Sequence, residues 1–153
     1  MRILVMSDSH GNKDAILKAA ARESPALILH LGDHDRDCSV IELEYPETQI
    51  RSVRGNCDRF SYGLDTDEFT IGGKRFFMTH GNLYRVKSGL SSIINAALQR
   101  DADLLLFGHT HDPYNTVLGN LTIINPGSIG MGGKTYAVLE LSNGVITCEF
   151  MKV

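Results

Sequence analysis

Long apolar runs are missing from this 153-residue sequence. No stretch approaches the ~18 consecutive apolar residues that a membrane-spanning helix needs. The apolar segment near the N-terminus, residues 3–6, is also too short for the core of a signal peptide. These absences favour a cytoplasmic protein that does not enter a membrane.

Cysteine is scarce and shows no pairing pattern. Only Cys38, Cys57 and Cys148 are present, and no two of them have C-x-x-C spacing. An odd number of widely spaced cysteines argues against a disulfide framework and favours free thiols in a reducing compartment.

Concentrated positive charge is absent as well. The 15 Lys and Arg residues are scattered, and the 18 Asp and Glu residues leave a net charge of −3. Because affinity for duplex nucleic acid comes from clustered cationic groups, the composition argues against nucleic acid as a partner. Internal repeats and flexible linkers are lacking too, so we expect one domain over residues 1–153.

The first third of the chain alternates short apolar runs with amphipathic segments. Strands are predicted at residues 3–6, 26–31 and 50–53, and helices at residues 12–23 and 37–44. This order predicts an α/β domain with a parallel sheet.

The remainder of the chain contains turn signals of β-hairpins. Gly72-Gly73, Gly119-Asn120 and Asn143-Gly144 each separate two strand-like segments. A helix is predicted at residues 88–100 and a buried strand at residues 104–107. We expect these strands to form a second, antiparallel-rich sheet packed on the first.

Side chains that can bind a metal follow five of the apolar runs within a few residues. They are Asp8 and His10, Asp33, Asn56, His80, and finally His109 with His111. Open α/β sheets place ligands at the carboxyl ends of their strands. If the strands lie side by side, these seven side chains converge on one rim.

The spacing of two of these pairs is informative. In Asp8-x-His10 and His109-x-His111, an extended backbone would project both side chains to one side, about 6–7 Å apart. That separation suits two ions ~3.5–4 Å from each other. The oxygen and nitrogen donors suit Mn²⁺, Fe²⁺, Zn²⁺ or Ni²⁺.

Six short motifs together resemble a known family. They are Asp8-Ser9-His10, Gly32-Asp33, Gly55-Asn56-Cys57-Asp58, Thr79-His80-Gly81-Asn82, Gly108-His109-Thr110-His111 and Asn125-Pro126-Gly127-Ser128. In this order they resemble the calcineurin-like metallophosphoesterases, in particular the small single-domain prokaryotic phosphodiesterases. The resemblance implies a four-layer α/β/β/α sandwich of two mixed β-sheets flanked by helices, with a dinuclear metal centre.

The resemblance also implies a role for each motif residue. One metal ion would be held by Asp8, His10, Asp33 and His111, and Asp33 would bridge to a second ion held by Asn56, His80 and His109. The ions would be divalent, with Mn²⁺ the first choice and Ni²⁺, Zn²⁺ or Fe²⁺ the alternatives. A hydroxide bridging them would attack a small phosphoester, with Asp33, Asn56 and His80 as catalytic residues and Asn56, Cys57 and His34 contacting substrate.

One position departs from the wider family. Many members carry a histidine directly after the motif asparagine, where it can protonate the leaving group, and here that residue is Cys57. A thiol is a weak donor, and His34 and Asp58 are possible replacements. His30 lies inside a predicted strand and is expected to be a buried, hydrogen-bonded residue.

Two other functions stay open at this stage. A retromer subunit of similar fold serves as an interaction scaffold, although it lacks the acidic residue and the asparagine that correspond to Asp33 and Asn56. A metal-dependent nuclease is the other alternative, and the scattered basic residues argue against it. A homo-oligomer is possible.

Overall fold

Ten β-strands and three α-helices follow one another along the chain, and a computed structural model describes all residues from Met1 to Val153. The strands are β1 (Arg2–Met6), β2 (Leu27–His30), β3 (Gln49–Ser52), β4 (Thr66–Ile71), β5 (Lys74–Thr79), β6 (Leu104–Leu106), β7 (Pro113–Leu118), β8 (Leu121–Pro126), β9 (Thr135–Ser142) and β10 (Val145–Lys152). The helices are α1 (Lys13–Glu23), α2 (Ser39–Glu44) and α3 (Ser91–Leu98), with single 3₁₀ turns at Asp35–Cys38 and Asn82–Tyr84. No helix combines the length and the apolar character that crossing a membrane requires.

The first sheet has the strand order β10-β9-β1-β2-β3. Its β1, β2 and β3 are parallel, as the alternation of strands and helices predicts. The hairpin of β9 and β10 adds to the other side of β1 in antiparallel orientation. The carboxyl ends of β1, β2 and β3 therefore lie at one edge.

The second sheet has the strand order β4-β5-β6-β8-β7. Its three central strands are parallel, and its two outer strands are antiparallel to their neighbours. The expected antiparallel-rich sheet is thus mixed, because the hairpin of β9 and β10 joins the first sheet while that of β7 and β8 joins the second. The five strands that precede the predicted ligands are also divided between the sheets rather than side by side in one.

Three apolar clusters account for the layering. Alternation along β1 sends Ile3 and Val5 to the inter-sheet core and Leu4 and Met6 to the face under α1. The opposite face of the second sheet is covered by α3, where Ile93 and its neighbours pack on the central strands. Because each sheet buries both faces, the order of layers is helix, sheet, sheet, helix, as expected for an α/β/β/α sandwich.

Local signals explain where the helices begin and end. The Asn12 side chain accepts a hydrogen bond from the Ala15 backbone N–H at 3.2 Å and caps α1, and Ser24 ends that helix in left-handed conformation. Helix α3 begins later than residue 88 because Gly89 has a φ of +145°, which is incompatible with a helix. The segment predicted at residues 37–44 is a 3₁₀ turn that leads into α2.

Candidate metal centre

The carboxyl ends of β1, β2 and β3 meet those of β5 and β6 at one end of the sandwich. Contacts across the two sheets show how close they are. The ring of His80, directly after β5, places its Nδ1 2.8 Å from the backbone oxygen of Leu31, which follows β2. Side chains at the ends of both sheets can therefore contact one another.

The backbone turns sharply at these strand ends. The extended geometry predicted for Asp8-x-His10 and His109-x-His111 is wrong, because all four residues have positive φ, with values of 54°, 46°, 69° and 65° in chain order. Asp33 and His34 share this left-handed conformation. Such conformations are unfavourable for residues other than glycine and concentrate at functional sites, where the surrounding structure enforces them.

One group of side chains contains Asp8, His10 and His111. Their ligand atoms lie within 4.8 Å of one another. The His111 Nε2 is 3.1 Å from the Asp8 Oδ1, and the His10 Nε2 is 3.5 Å from the His111 Nε2. Three N and O donors therefore face a common point.

A second group contains Asp33, His80 and His109, again with ligand atoms within 4.8 Å of one another. The His80 Nδ1–H donates to the Leu31 backbone oxygen, so the Nε2 of a neutral His80 carries a lone pair. That Nε2 lies 3.1 Å from the His109 Nδ1 and 3.5 Å from the Asp33 Oδ1. Burial and the neighbouring His80 lower the pKa of His109, which favours its neutral, ligand-competent form.

Asp33 also lies close to the first group. Its Oδ2 is 3.9 Å from the His10 Nε2, while its Oδ1 accepts the Cys57 backbone N–H at 2.8 Å. Burial favours a raised pKa for Asp33, but the Cys57 N–H and the His80 ring outweigh it and leave the pKa below its usual value. A side chain at Gly55 would collide with the Asp33 Oδ1, which explains the glycine of that motif.

The charge of the site fits a bound cation. Asp8 and Asp33 are 0% and 3% exposed, and their ion-pair partners are histidines rather than Lys or Arg. Buried carboxylates without a compensating charge are strongly unfavourable. Imidazole nitrogens that approach each other need a proton or a metal ion between them. The O and N donors match the preferences of first-row divalent metals.

The three remaining predicted site residues lie at the exposed side of this cluster. The Asn56 side chain is exposed, and its one hydrogen bond is from Nδ2 to the Cys57 Sγ at 3.4 Å, so it forms no hydrogen bond with the other six predicted ligands. The His34 ring packs edge-on against His10 with centroids 5.4 Å apart. The Cys57 Sγ lies within 4.8 Å of ligand atoms of His10 and Asp33, and burial together with Asp33 raises the pKa of Cys57 to about 11.

A buried network of hydrogen bonds lies next to the group that contains Asp8 and His10. The His30 Nδ1 accepts the Gly32 backbone N–H at 3.2 Å, which leaves the Nε2–H to donate to the Ser9 Oγ, also at 3.2 Å. Ser9 in turn donates to the Asp37 Oδ2 at 2.7 Å. Burial lowers the pKa of His30 to about 4, so this residue is neutral, buried and hydrogen-bonded, as predicted.

Some residues that support the site could not be identified from the sequence. Ser9 and Asp37 contact each other across a separation of 28 residues, a pairing without any local signal. The predicted turn that contains Asn125 and Ser128 does lie at the site, where Asn125 donates to the Gly108 oxygen at 2.9 Å and Ser128 to the Asp8 oxygen at 2.8 Å.

Comparison with known proteins gives a consistent result. Residues 1–144 match the calcineurin-like phosphoesterase superfamily domain. The chain is 33% identical over 157 residues to a Bacillus subtilis protein named probable metallophosphoesterase YsnB, with 98% of this chain and 90% of that protein covered. It is 26% identical over 173 residues to the Escherichia coli phosphodiesterase YfcE, covering 96% and 90% of the two chains.

Solved structures agree with the fold. A predicted phosphoesterase from Streptococcus pneumoniae superimposes with a TM-score of 0.83 at 25% identity, covering 99% of this chain and 88% of that one. A Vps29 protein from Entamoeba histolytica, at 19% identity and a TM-score of 0.78, shares the fold over 100% and 99% of the two chains. By its sequence match and its fold, the chain belongs to the calcineurin-like phosphoesterase superfamily.

Proposed function

We propose that this protein is a metal-dependent phosphodiesterase with two divalent ions, bound by the seven residues predicted from the sequence. One observation carries the proposal: two buried carboxylates, Asp8 and Asp33, converge with four imidazoles and have no Lys or Arg partner. Two divalent ions would supply a hydroxide at neutral pH, by lowering the pKa of a water molecule, and would stabilise charge on the phosphoryl oxygens.

Asp33 is suited to lie between the two ions. Its two oxygens face different groups, since Oδ1 is 3.5 Å from the His80 Nε2 and Oδ2 is 3.9 Å from the His10 Nε2. The Cys57 N–H holds the carboxylate in this orientation and favours its ionised form. His80 is held just as firmly, because its Nδ1–H donates to a backbone oxygen and its ring is fully buried.

Asn56 is assigned to the second ion and to the substrate phosphate. It is a neutral residue on an exposed loop, so it adds a ligand without reducing the positive charge that attracts a phosphoester anion. Its Nδ2 donates to the Cys57 Sγ, which leaves its Oδ1 free to bind an ion. His34 and Cys57 flank the same opening and are assigned to substrate contact.

The preference for diesters draws support from the relatives, since YfcE of Escherichia coli is named a phosphodiesterase. With two divalent ions, the carboxylates of Asp8 and Asp33 and a bridging hydroxide, the site would carry a charge of about +1, which attracts the single negative charge of a diester. Mn²⁺ is our first choice of metal and Ni²⁺, Zn²⁺ and Fe²⁺ are the alternatives, because a set of two carboxylates, four imidazoles and one amide offers oxygen and nitrogen donors that all four ions accept. Three unpaired cysteines fit a reducing compartment, and we place the protein in the cytoplasm.

The test combines elemental analysis with a panel of phosphomonoesters and phosphodiesters. We expect about two equivalents of metal per chain and faster hydrolysis of the diesters. Bound metal with no hydrolysis of any ester would instead support an interaction scaffold of the same fold. Asn56→Ala should abolish turnover while the circular dichroism spectrum stays that of the wild type.

A further inference from the structure

We infer that a cleft beside the metal centre binds one ester group of the substrate, and that this group carries a flat aromatic ring of the nucleobase type. The cleft has a volume of about 170 Å³, and its lining includes His34, Arg36, Cys57, Arg59 and Phe60. This inference rests on the proposed phosphodiesterase function, because it concerns the substrate of that same site.

The position of the cleft connects it to the reaction centre. His34 and Cys57 belong to both, since the His34 ring packs on His10 and the Cys57 N–H donates to Asp33. A phosphoester bound at the cluster would therefore direct one of its two ester groups past these residues. The cleft is the space that receives it.

Phe60 gives the cleft an aromatic surface. It is 85% exposed, whereas Phe76, Phe77 and Phe107 are all buried. An exposed aromatic ring at the border of a binding site offers apolar surface that a ligand can cover. Bases stack on such rings, because every base offers a π face.

The loop that carries Phe60 is held by side-chain contacts at both of its ends. The Arg36 Nη2 donates to the Phe60 backbone oxygen at 2.7 Å, and the Ser61 hydroxyl donates to the Asp35 Oδ2. Arg54 forms a bidentate ion pair with Asp65, at 2.7 and 3.1 Å, that anchors the other end of the loop.

The charged groups at the cleft favour a neutral polar ring over a second anionic group, because three carboxylates line it together with the guanidinium groups of Arg36 and Arg59. Asp37 and Asp58 accept hydrogen bonds from the protein itself, whereas the buried Oδ1 of Asp35 has no hydrogen-bond partner. Arg59 is exposed and forms neither an ion pair nor a side-chain hydrogen bond, so its guanidinium is free to contact a ligand. A guanidinium next to an aromatic ring is typical of sites that bind nucleotides, where it stacks on the base or pairs with phosphate.

The experiment compares two competitive inhibitors of chromogenic diester hydrolysis, adenosine 5′-monophosphate and ribose 5-phosphate. Both present the same phosphate to the metal centre, and only the first has a base. For the wild type, we expect the inhibition constant of adenosine 5′-monophosphate to be at least about 10-fold lower than that of ribose 5-phosphate. Phe60→Ala should reduce this ratio to about one.

Tyr62→Ala is the matched control. Tyr62 is a fully exposed aromatic residue of the same loop that does not line the cleft, so its variant should keep the wild-type ratio. The inference would be overturned if both compounds inhibited the wild type equally. It would also be overturned if Phe60→Ala kept the wild-type ratio of inhibition constants, or if Tyr62→Ala lost that ratio as fully as Phe60→Ala. If the protein hydrolyses no diester, the proposed function itself fails, which is a distinct outcome.

Discussion

The Asp58 Oδ1 accepts the backbone N–H of His34 at 2.8 Å, and this bond ties the loop after β3 to the loop after β2. The same carboxylate accepts the N–H groups of Asp35 and Gly55 at 3.2 and 2.8 Å. Asp58 therefore links two loops that carry predicted ligands, and both of its carboxylate oxygens accept hydrogen bonds in doing so. This engagement argues against the alternative in which Asp58 protonates the leaving group.

Replacing Asp58 with alanine should destabilise the protein. Three backbone N–H groups, two of them partly buried, would lose their acceptor, which costs about 1–3 kcal/mol. Unfolding in urea measures the change. Glu47→Ala is the control, since Glu47 is exposed and makes no side-chain hydrogen bond or ion pair, and it should shift the unfolding free energy by less than about 0.5 kcal/mol. An equal effect of both substitutions would count against this role.

His30 should make stability depend on pH in the mildly acidic range. Its pKa in the folded protein is lowered to about 4, mainly by burial, whereas the pKa in the unfolded chain is near the ordinary histidine value of 6.5. The unfolded state thus binds more protons below pH 6.5, so the stabilisation is complete above that pH and is lost as the pH falls toward 4. Unfolding of metal-free protein should become easier by about 2 kcal/mol between pH 7 and pH 5.

The variant His30→Gln supplies the comparison for that measurement. It lacks the titrating ring, so its unfolding free energy should change less over the same pH interval. Parallel pH profiles for the two proteins would mean that other groups cause the dependence.

Tyr136 should produce the opposite pH dependence at alkaline pH. It is fully buried and its hydroxyl donates to the Glu23 Oε1 at 2.8 Å. Burial, followed by that bond, raises the pKa of Tyr136 to about 12 from 10.0. Stability from this group is complete below pH 10 and is lost as the pH rises toward 12. Tyr136→Phe should lack this alkaline decline and cost about 1–2 kcal/mol at pH 8, as measured by denaturant unfolding.

The rate of diester hydrolysis should depend steeply on the acidity of the leaving group. The thiol of Cys57 is a weak donor, and the Asp58 carboxylate is occupied by backbone N–H groups, so neither is suited to protonate a departing oxygen. Aryl diesters with phenols of different pKa provide the measurement. A flat dependence would reveal a general acid in the site.

The order of strands and helices could be predicted because it rests on local periodicity and turn residues. Gly72-Gly73 and Asn143-Gly144 do form the tight turns of hairpins, and Asn12 does cap a helix. The division of hairpins between two sheets could not be predicted, because sheet membership is decided by packing between residues far apart in the chain.

The candidate site also has one part that the sequence predicts and one part that it does not. Ligand-type residues after strand ends are visible in the sequence, since the carboxyl ends of parallel strands share an edge. The left-handed backbone at Asp8 and His10 could not be predicted from the sequence. Tertiary contacts, such as the hydrogen bond from the Ser128 hydroxyl to the Asp8 backbone oxygen, enforce this conformation against local preference. The assignment of all seven residues as metal ligands stays a prediction.

Titration of metal-free protein with Mn²⁺, for the wild type and Asp33→Asn, tests the central claim most directly. Asparagine keeps an oxygen for the Cys57 N–H but loses the charge that would hold two ions. We expect two equivalents bound by the wild type, fewer by Asp33→Asn, and a loss of hydrolysis of at least about 10²-fold. Asp112→Asn, an exposed residue without a side-chain hydrogen bond, should match the wild type. Two bound ions and full hydrolysis in Asp33→Asn would contradict the proposal.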